Sequence, residues 1–224
     1  MAAGNAGNAP RPVVLIIRDG WGRNPHPEQD AANAVKLAKT PCAHMLERDW
    51  PTTLIKTSGE DVGLPVGPDG PVMGNSEVGH QNLGAGRVVD QELMRITRAI
   101  RSGEFARNAT LLQTFERAKA SGRGVHVMGL LSDGQVHSDL PHLQAILELA
   151  HAQGVPSDRL FVHAFTDGRD TAAEGSLHYI PWLEGVLQKT GGRIATVCGR
   201  FFAMDRDHRW ERVKQAFDLL CGRG

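Results

Sequence analysis

The feature that most constrains the fold is a regular alternation of apolar runs and amphipathic stretches in the second half of the chain. Three short β-branched runs each precede a helical pattern, and the pairs are 124–131 with 140–153, 159–165 with a helix within 174–190, and 193–198 with 207–220. Strands that alternate with helices form a mostly parallel sheet covered by helices. We therefore predict an α/β fold with alternating strands and helices.

The first half of the chain has a different texture. Residues 12–18 predict a buried strand, Thr40-Pro41 predicts a helix start, and 52–57 predicts a second strand, before a Gly- and Pro-rich loop at 58–74. Helices are predicted at 90–103, with Asp90 as a possible N-cap, and at 108–122 with Asn108 at the cap. We predict a flexible tail at 1–11, an N-terminal domain at 12–88 and a second domain at 89–224.

Composition excludes several classes of function. The 224 residues carry 25 basic and 25 acidic side chains, so no nucleic acid or anionic membrane is expected as the main partner. The three cysteines have no metal-binding spacing and predict reduced thiols in a cytoplasmic protein. No signal peptide or membrane span is expected, because the chain has no apolar run of sufficient length.

Polar residues are concentrated where each predicted strand ends. The strings "DGWG", "SDGQVHSD", "TDGRD" and "GRFFAMDRDHRW" follow the four clearest apolar runs. Ligands of parallel α/β sheets bind beyond the carboxyl ends of strands, so the last three strings predict one site. Its arginines suit a small anion with carboxylate or phosphate oxygens. Asp-Gly pairs also form plain turns, and only the repetition after successive strands favours a site.

Ser76 lies in the string "MGNSEVGH", which fits either a capped turn or a reactive serine. The string lacks the spacing of a hydrolase elbow and of a P-loop. A serine that follows a Gly-rich loop at a helix start would lie beside free main-chain donors, which favour a phosphate. Its activation needs a base or a metal, and Asp19 at the end of the first run suits a metal. The residues alone indicate a possible metal-activated serine near an anion site.

Six strings occur in an order that closely resembles cofactor-independent phosphoglycerate mutase, of the alkaline phosphatase superfamily. The strings are "IIRDGWG", "SGEDVGLP", "MGNSEVGHQNLGAGR", "GLLSDGQVHS", "HAFTDGRDT" and "GRFFAMDRDHRWERV", and the match spans most of residues 12–220. The resemblance implies a partial phosphatase-like domain and a partial transferase domain, with mostly parallel sheets and two Mn²⁺ ions. It implies Asp19 as a metal ligand and Ser76 as nucleophile and metal ligand. It also implies a substrate site that consists of His137, Arg169, Asp170, Arg200 and Arg206.

The implied reaction interconverts 3-phosphoglycerate and 2-phosphoglycerate through a phosphoserine, in glycolysis or gluconeogenesis, with Asp170 moving protons at the glycerate hydroxyls. The chain departs from the family pattern in length, since the family is about twice as long and its second half supplies most metal ligands. The loop 66–72 is also lengthened, and Gln135 replaces a usual glycine. We therefore predict that the chain is an incomplete part of the enzyme and is inactive alone.

Three alternatives to an enzyme fragment remain open. The chain could be a non-catalytic module that binds phosphoglycerate-like anions, or one subunit of a split enzyme completed by a complementary chain with the missing C-terminal half. A related phosphohydrolase or phosphopentomutase is disfavoured, because "SDGQVHS" and "MDRDHRW" resemble the mutase's own substrate domain. If a second half is missing, we expect exposed apolar surface and poor solubility.

Overall fold

The computed structural model describes residues 12–67 and 70–223, so the predicted tail at 1–11 lies outside the described residues. The chain divides into two units between Ile55 and Lys56. The described part of the first unit contains a 3-10 turn and two helices, namely Pro27–Ala32, α1 (Ala34–Leu37) and α2 (Pro41–Asp49). Pro41 occupies the first turn of α2, so the predicted helix start is confirmed.

Both strands predicted in the N-terminal part are wrong. Residues 12–18 form no strand, and their side chains are exposed rather than buried, with Val13 at 92% and Ile16 at 79% of full exposure. Residues 52–57 are also irregular, and only the adjacent Ser58 forms an isolated bridge, to Met73. A strand needs a hydrogen-bonded neighbour, and no described strand pairs with either run.

The second unit contains the predicted parallel sheet. Its strands β3 (Val125–Leu131), β4 (Leu160–Thr166) and β5 (Arg193–Gly199) pair in that order, and both pairings are parallel. A short antiparallel pair, β1 (Val66–Gly67) with β2 (Gly70–Pro71), precedes them within the loop predicted at 58–74. The α/β prediction is confirmed. The elements of this unit are β1 (Val66–Gly67), β2 (Gly70–Pro71), α3 (Ser76–Ala85), α4 (Glu92–Ser102), α5 (Ala109–Ser121), β3 (Val125–Leu131), α6 (Leu140–Ala152), β4 (Leu160–Thr166), α7 (Ser176–Thr190), β5 (Arg193–Gly199), α8 (Arg200–Ala203) and α9 (Trp210–Leu220).

The main core lies on one face of this sheet. Alternate residues of the strands, such as Leu160 and Val162, are buried against Phe115 of α5, Leu147 of α6 and Leu183 of α7. Each buried leucine contributes roughly 1.5–3 kcal/mol relative to an exposed one. Strand alternation places the neighbouring residues on the opposite face.

That opposite face is only partly covered. Met128 of β3 is 57% exposed there, and β4 contributes His163, which is buried. His126 Nδ1 lies 2.9 Å from His163 Nε2, and His163 Nδ1 lies 2.9 Å from Thr196 Oγ1, so a polar chain crosses the three strands. A covered and an open face on one sheet are typical of a layer that packs helices on a single side.

The helix caps show which local predictions succeed. Asn108 caps α5, because its side chain accepts hydrogen bonds from the amides of Thr110 and Leu111 at 3.1 Å. The suggested Asp90 cap is wrong, since Gln91 is the residue before α4. Asp90 instead forms an ion pair with Arg98 at 2.8 Å, which draws its carboxylate to the side of the helix.

Large apolar side chains are exposed at several places. On α9, Trp210 is 67% and Phe217 52% exposed. Val197 on the edge strand β5 is 50% exposed. The expected exposed apolar surface is therefore present. Among residues 12–67 and 70–223, none of the helices combines the length and apolar character needed to cross a bilayer.

Candidate active site

The residues that follow β3, β4 and β5 meet at one carboxylate, Asp167. Ser132, directly after β3, donates from Oγ to Asp167 Oδ2 at 2.6 Å. Arg200, directly after β5, donates from Nη1 to Asp167 Oδ1 at 2.8 Å. Since these three residues stand at the carboxyl ends of neighbouring parallel strands, the sheet order itself brings them together.

The Asp167 carboxylate is fully buried and densely hydrogen-bonded. Its Oδ1 also accepts the main-chain amides of Arg169 and Asp170 at 3.0 Å each, which makes the "TDGRD" turn. Burial, the largest single influence, would raise the pKa of Asp167. The hydrogen bonds from Ser132, the Asp170 amide, Arg200 and the Arg169 amide outweigh it and lower the pKa to about 2. Asp167 is therefore an anion at neutral pH that positions its neighbours.

Sequence reasoning missed Asp167, although a usable signal existed. It named Asp170 as a candidate, but passed over the first acidic residue after β4. An aspartate directly before a glycine at a strand end accepts amides of its own turn. That preference predicts a turn. The contacts from Ser132 and Arg200, 35 and 33 residues away, depend on the sheet.

Asp170 and Arg200 form an ion pair within the site. Arg200 Nη1 lies 2.5 Å from Asp170 Oδ2, and the Asp170 side chain is only 14% exposed. The hydrogen bonds that Arg200 donates to Asp170 and then to Asp167 raise the pKa of Arg200 above its ordinary value. His137 Nε2 lies 4.0 Å from the same Asp170 oxygen and is about half exposed. The structure thus brings together three of the predicted substrate residues.

The other two predicted substrate residues, Arg169 and Arg206, are exposed. Among the described residues, neither guanidinium forms an ion pair with a carboxylate, whereas Arg200 pairs with two. No hydrogen bond joins Arg169 or Arg206 to Asp170 in the described part of the chain. Their placement around a substrate therefore stays a prediction. A guanidinium without a protein carboxylate is chemically free to bind an anion.

The loop after β3 packs tightly on the loop after β4. A Cβ at Gly134 would lie 3.1 Å from the Asp170 Cβ and from the Asp170 carbonyl oxygen, so only glycine fits without displacing that turn. The adjacent Asp133 accepts the Tyr179 hydroxyl at 2.5 Å. Burial, followed by the hydrogen bond to Asp133, raises the pKa of Tyr179. Asp133 thus anchors the loop to α7.

Asp205 organises the loop between α8 and α9. Its Oδ2 accepts the amides of Asp207 and Arg209 at 3.2 and 2.9 Å, and its side chain is 2% exposed. Arg212 lies 3.5 Å from Oδ1. Because this turn uses residues 205–209, α9 begins at Trp210 and not at the predicted residue 207. Asp205 acts here as a structural residue.

Ser76 is the first residue of α3, so the predicted helix start is confirmed. Asn75 caps the helix by accepting the Val78 amide at 3.0 Å. Before it, the Gly74 amide donates to the Thr57 carbonyl at 2.9 Å, and a Cβ at Gly74 would lie 2.4 Å from that oxygen. The Ser76 side chain is exposed beside unsatisfied amides of the first helical turn, a favourable place for a phosphate.

His80 does not serve as a base for Ser76. Its Nδ1 lies 2.7 Å from the Ser76 carbonyl oxygen and 3.4 Å from Ser76 Oγ. A carbonyl can only accept, so Nδ1 carries the proton that it donates there. The same nitrogen cannot also receive the serine proton. The pair is therefore not arranged as a nucleophile and its base.

The described residues do not fit a complete Mn²⁺ site. Asp19 is exposed and lies in the first unit, and Ser76 lies in the second. Within residues 12–67 and 70–223, no group of three or more Asp, Glu, His or Cys side chains is arranged to hold a metal ion. One carboxylate and one hydroxyl fall short of the six or so ligands that Mg²⁺- and Mn²⁺-type ions prefer.

Comparison with known proteins agrees with this architecture. A family model described as BPG-independent PGAM N-terminus matches residues 96–224. The chain is 54% identical over 211 residues to the 2,3-bisphosphoglycerate-independent phosphoglycerate mutase of Rhodopirellula baltica, and covers 94% of its own length but 38% of that protein. It is 51% identical to the enzyme of the same name from Hydrogenovibrio crunogenus, of which it covers 39%.

A solved structure shows the same fold. The crystal structure of Leishmania mexicana phosphoglycerate mutase at low cobalt concentration superposes with a TM-score of 0.60 at 36% identity, over 82% of this chain and 34% of that one. The chain spans about two fifths of the length of the curated relatives it matches. On the family match and these identities, the chain belongs to the 2,3-bisphosphoglycerate-independent phosphoglycerate mutase family and corresponds to its N-terminal portion.

Proposed function

We propose that the chain is the N-terminal part of an enzyme that interconverts 3-phosphoglycerate and 2-phosphoglycerate, with Ser76 as phosphoryl acceptor. The observation that carries the proposal is the convergence of three strand ends on buried Asp167, which fixes Asp170 and Arg200 beside His137. This arrangement suits a small anion with hydroxyl groups. Membership of the family supports the identity of that anion.

Arg169 and Arg206 would hold the carboxylate and phosphate oxygens of the substrate. Both are exposed and form no ion pair with a described carboxylate. Arg200 has a different role, because its Nη1 is shared between Asp167 and Asp170. It would orient Asp170 and reduce the repulsion between that carboxylate and an incoming anion. Such positioning speeds a reaction, because the reacting groups are already held in the required geometry when the substrate is bound.

In the first transfer, Ser76 Oγ would attack phosphorus, a new O–P bond would form, and the bond between phosphorus and the O3 oxygen would break. The leaving oxygen takes a proton and becomes the 3-hydroxyl of glycerate. The Ser76 proton must leave at the same time. His80 Nδ1 is engaged by the Ser76 carbonyl, so the proton acceptor has to be another group.

In the second transfer, the 2-hydroxyl of glycerate would lose a proton and attack the phosphoserine, which restores the Ser76 hydroxyl. Asp170 is our candidate for taking the proton from the 2-hydroxyl and for giving one to the 3-hydroxyl. Its position is fixed by Arg200 and by the turn around Asp167, so a single carboxylate could serve both hydroxyls as glycerate reorients.

The family implies metal ions at the phosphoryl transfer site, which would screen phosphoryl charge and activate the serine. The described residues supply no complete ligand set, so further ligands would have to come from a continuation of the chain or from a complementary chain. We infer a cytoplasmic location for the assembled enzyme, in glycolysis or gluconeogenesis.

A chimera tests this function directly. Residues 12–220 would replace the corresponding segment of the Rhodopirellula baltica enzyme, and conversion of 3- to 2-phosphoglycerate would be measured. We expect conversion by the chimera, loss of at least about a thousandfold with Ser76→Ala, and a phosphate on Ser76 by mass spectrometry. Full activity of the Ser76→Ala chimera would refute the role of Ser76. The isolated 224-residue chain with Mn²⁺ should show no turnover.

An anion-binding module is the second candidate. The loops around Asp167 are assembled within the second unit, whereas the described residues hold no metal cluster. Binding of 3-phosphoglycerate by the isolated chain with equal affinity in Mn²⁺ and in a chelator, combined with an inactive chimera, would favour the module.

A further inference from the structure

The Gln135 side chain is buried inside the loop that follows β3. Gln135 is 8% exposed, although its neighbours Val136 and His137 are exposed. Its φ of +54° lies in the left-handed region, which costs energy for any residue other than glycine. A residue that is both strained and buried is held by its surroundings, so the contacts of this side chain need an explanation.

One end of the Gln135 amide is satisfied and the other is not. Nε2 donates to Asp139 Oδ2 at 2.9 Å, and Asp139 is itself buried just before α6. Oε1 is buried and has no hydrogen-bond partner among the described residues. An unpaired buried amide oxygen is costly, so packing around Oε1 has to offset that loss.

The group that packs against Oε1 is the hairpin strand β1. A Cβ added to Gly67 would lie 2.8 Å from Gln135 Oε1 and 3.4 Å from its Cδ, so the glutamine amide rests directly on the Gly67 backbone. Gly67 pairs with Gly70 across the hairpin. The absence of a side chain at residue 67 is what allows the contact.

The hairpin connects directly to the segment that carries Ser76. The Val72 amide donates to the Pro65 carbonyl at 3.2 Å, and the Gly59 amide donates to the Val72 carbonyl at 2.8 Å. The Gly74 amide then donates to Thr57, two residues before Ser76. Gln135 therefore touches one end of a hydrogen-bonded unit whose other end presents the serine.

We propose that Gln135 is a positioning residue that couples the substrate loop around His137 to the Ser76-bearing segment. This inference rests on the proposed function, because it concerns the same site. Order in the segment 57–74 should depend on the Gln135 side chain. Anion binding beside His137 should in turn tighten that segment, because coupling between two sites acts in both directions.

A double-mutant cycle tests the contact without any ligand. Gln135→Gly removes the amide and relieves the backbone strain at φ +54°. Gly67→Ala places a methyl group where Oε1 now lies. Amide hydrogen exchange of peptides from 57–74 should become roughly fivefold faster in either single variant, about the effect of losing one modest contact. In the double variant, exchange should be almost no faster than in Gln135→Gly alone, because the added methyl group no longer meets the glutamine side chain.

Val136→Gly is the matched control, since it loosens the same loop but removes an exposed side chain. It should leave exchange in 57–74 unchanged. Equal effects of Val136→Gly and Gln135→Gly, or full additivity of Gln135→Gly and Gly67→Ala, would overturn the proposed coupling.

A ligand experiment separates this inference from the proposed function. Saturating 3-phosphoglycerate should slow exchange in 57–74 at least about threefold in the wild-type chain and not in Gln135→Gly, because a ligand shifts only what it is coupled to. Inorganic phosphate is the comparison anion. Binding of 3-phosphoglycerate without this change would contradict the role of Gln135, whereas no binding would contradict the proposed function and leave the double-mutant cycle to decide on the contact.

Discussion

Two parts of this chain carry similar apolar runs but fold differently. Residues 13–17 are β-branched or leucine and are 41–92% exposed, with no strand structure. Residues 160–164 of β4 are also mostly apolar, although they include His163, and form a central strand in which Leu160, Val162 and Ala164 are at most 2% exposed. The difference shows that an apolar run forms a strand only where the described chain supplies at least one neighbouring strand to pair with.

The neighbours of β4 are close in sequence. β3 precedes it and β5 follows it, and the helices α6 and α7 between them cover one face. Each strand thus meets its partner through one crossover, which is the arrangement that a short stretch of chain can complete. The run at 12–18 has no such local partner among the described residues.

The largest effect is expected when one apolar side chain from each region is truncated to alanine and the losses in free energy of unfolding are compared. Leu147→Ala removes a fully buried side chain of α6 and should lower the free energy of unfolding by about 2–5 kcal/mol. Ile16→Ala removes a side chain that is 79% exposed and should change it by less than about 0.5 kcal/mol. Urea unfolding followed by circular dichroism measures both. Equal losses would break the comparison.

The next effect concerns Asp167. Its pKa of about 2 lies below the ordinary 3.8, so its contribution to stability is complete above about pH 4 and is lost as the pH falls from there to about 2. That contribution is about 2 kcal/mol. Asp167→Asn should lower the free energy of unfolding by about that amount at pH 7. It should also make the fall in that free energy between pH 4 and 2 less steep than in the wild type.

Asp158→Asn changes an exposed carboxylate in the same unit and is the matched control for Asp167. Urea unfolding at several pH values measures both variants. If the free energy of unfolding fell as steeply between pH 4 and 2 in Asp167→Asn as in the wild type, the buried carboxylate would not stabilise the site.

The residues that precede α5 and α2 allow the two units to be compared again, with a smaller expected effect on stability. Asn108 hydrogen-bonds two amides of α5, so Asn108→Ala should cost about 1 kcal/mol. Thr40 precedes α2 in the first unit and makes no such bond. Thr40→Ala should therefore leave the melting temperature nearly unchanged. A similar loss in both variants would mean that α2 is as well supported as α5.

The smallest effect is a pH dependence at β4. Burial, followed by the charge of His126, lowers the pKa of His163 below its ordinary 6.5. The folded state therefore favours the neutral ring, and stability should fall as the pH drops below about 6.5. Melting temperatures from pH 7.5 to 5.5 should show a shallower slope in His163→Gln than in the wild type, with exposed His178→Gln as the control. Identical slopes in all three chains would exclude His163 as the source.

The sequence predicted those elements whose causes are local. The helices α5 and α6, the strands β3 to β5 and the start of α3 at Ser76 follow from caps, periodicity and β-branched runs, and all are present. The strands at 12–18 and 52–57 were predicted wrongly, because a strand depends on partners that the pattern of one segment cannot show.

The sequence predicted where the site lies in the fold, but not which side chains contact one another there. The strand-end rule pointed to the loops that hold His137, Asp170 and Arg200, which the structure brings together. It missed Asp167, whose importance lies in contacts with residues more than thirty positions away. The contact between Gln135 and Gly67 joins residues about twice as far apart in sequence. It also depends on a positive φ at Gln135, which the sequence does not reveal when the residue is not glycine.

The most direct test of the central claim is calorimetric titration of the isolated chain with 3-phosphoglycerate. Arg169 is exposed and forms no ion pair with a described carboxylate, so Arg169→Met should leave the melting temperature unchanged and weaken binding by about tenfold or more. Arg117→Met, on the exposed side of α5, should bind as the wild type does. No binding by the wild-type chain, or equal affinity in all three chains, would contradict an anion site at the strand ends.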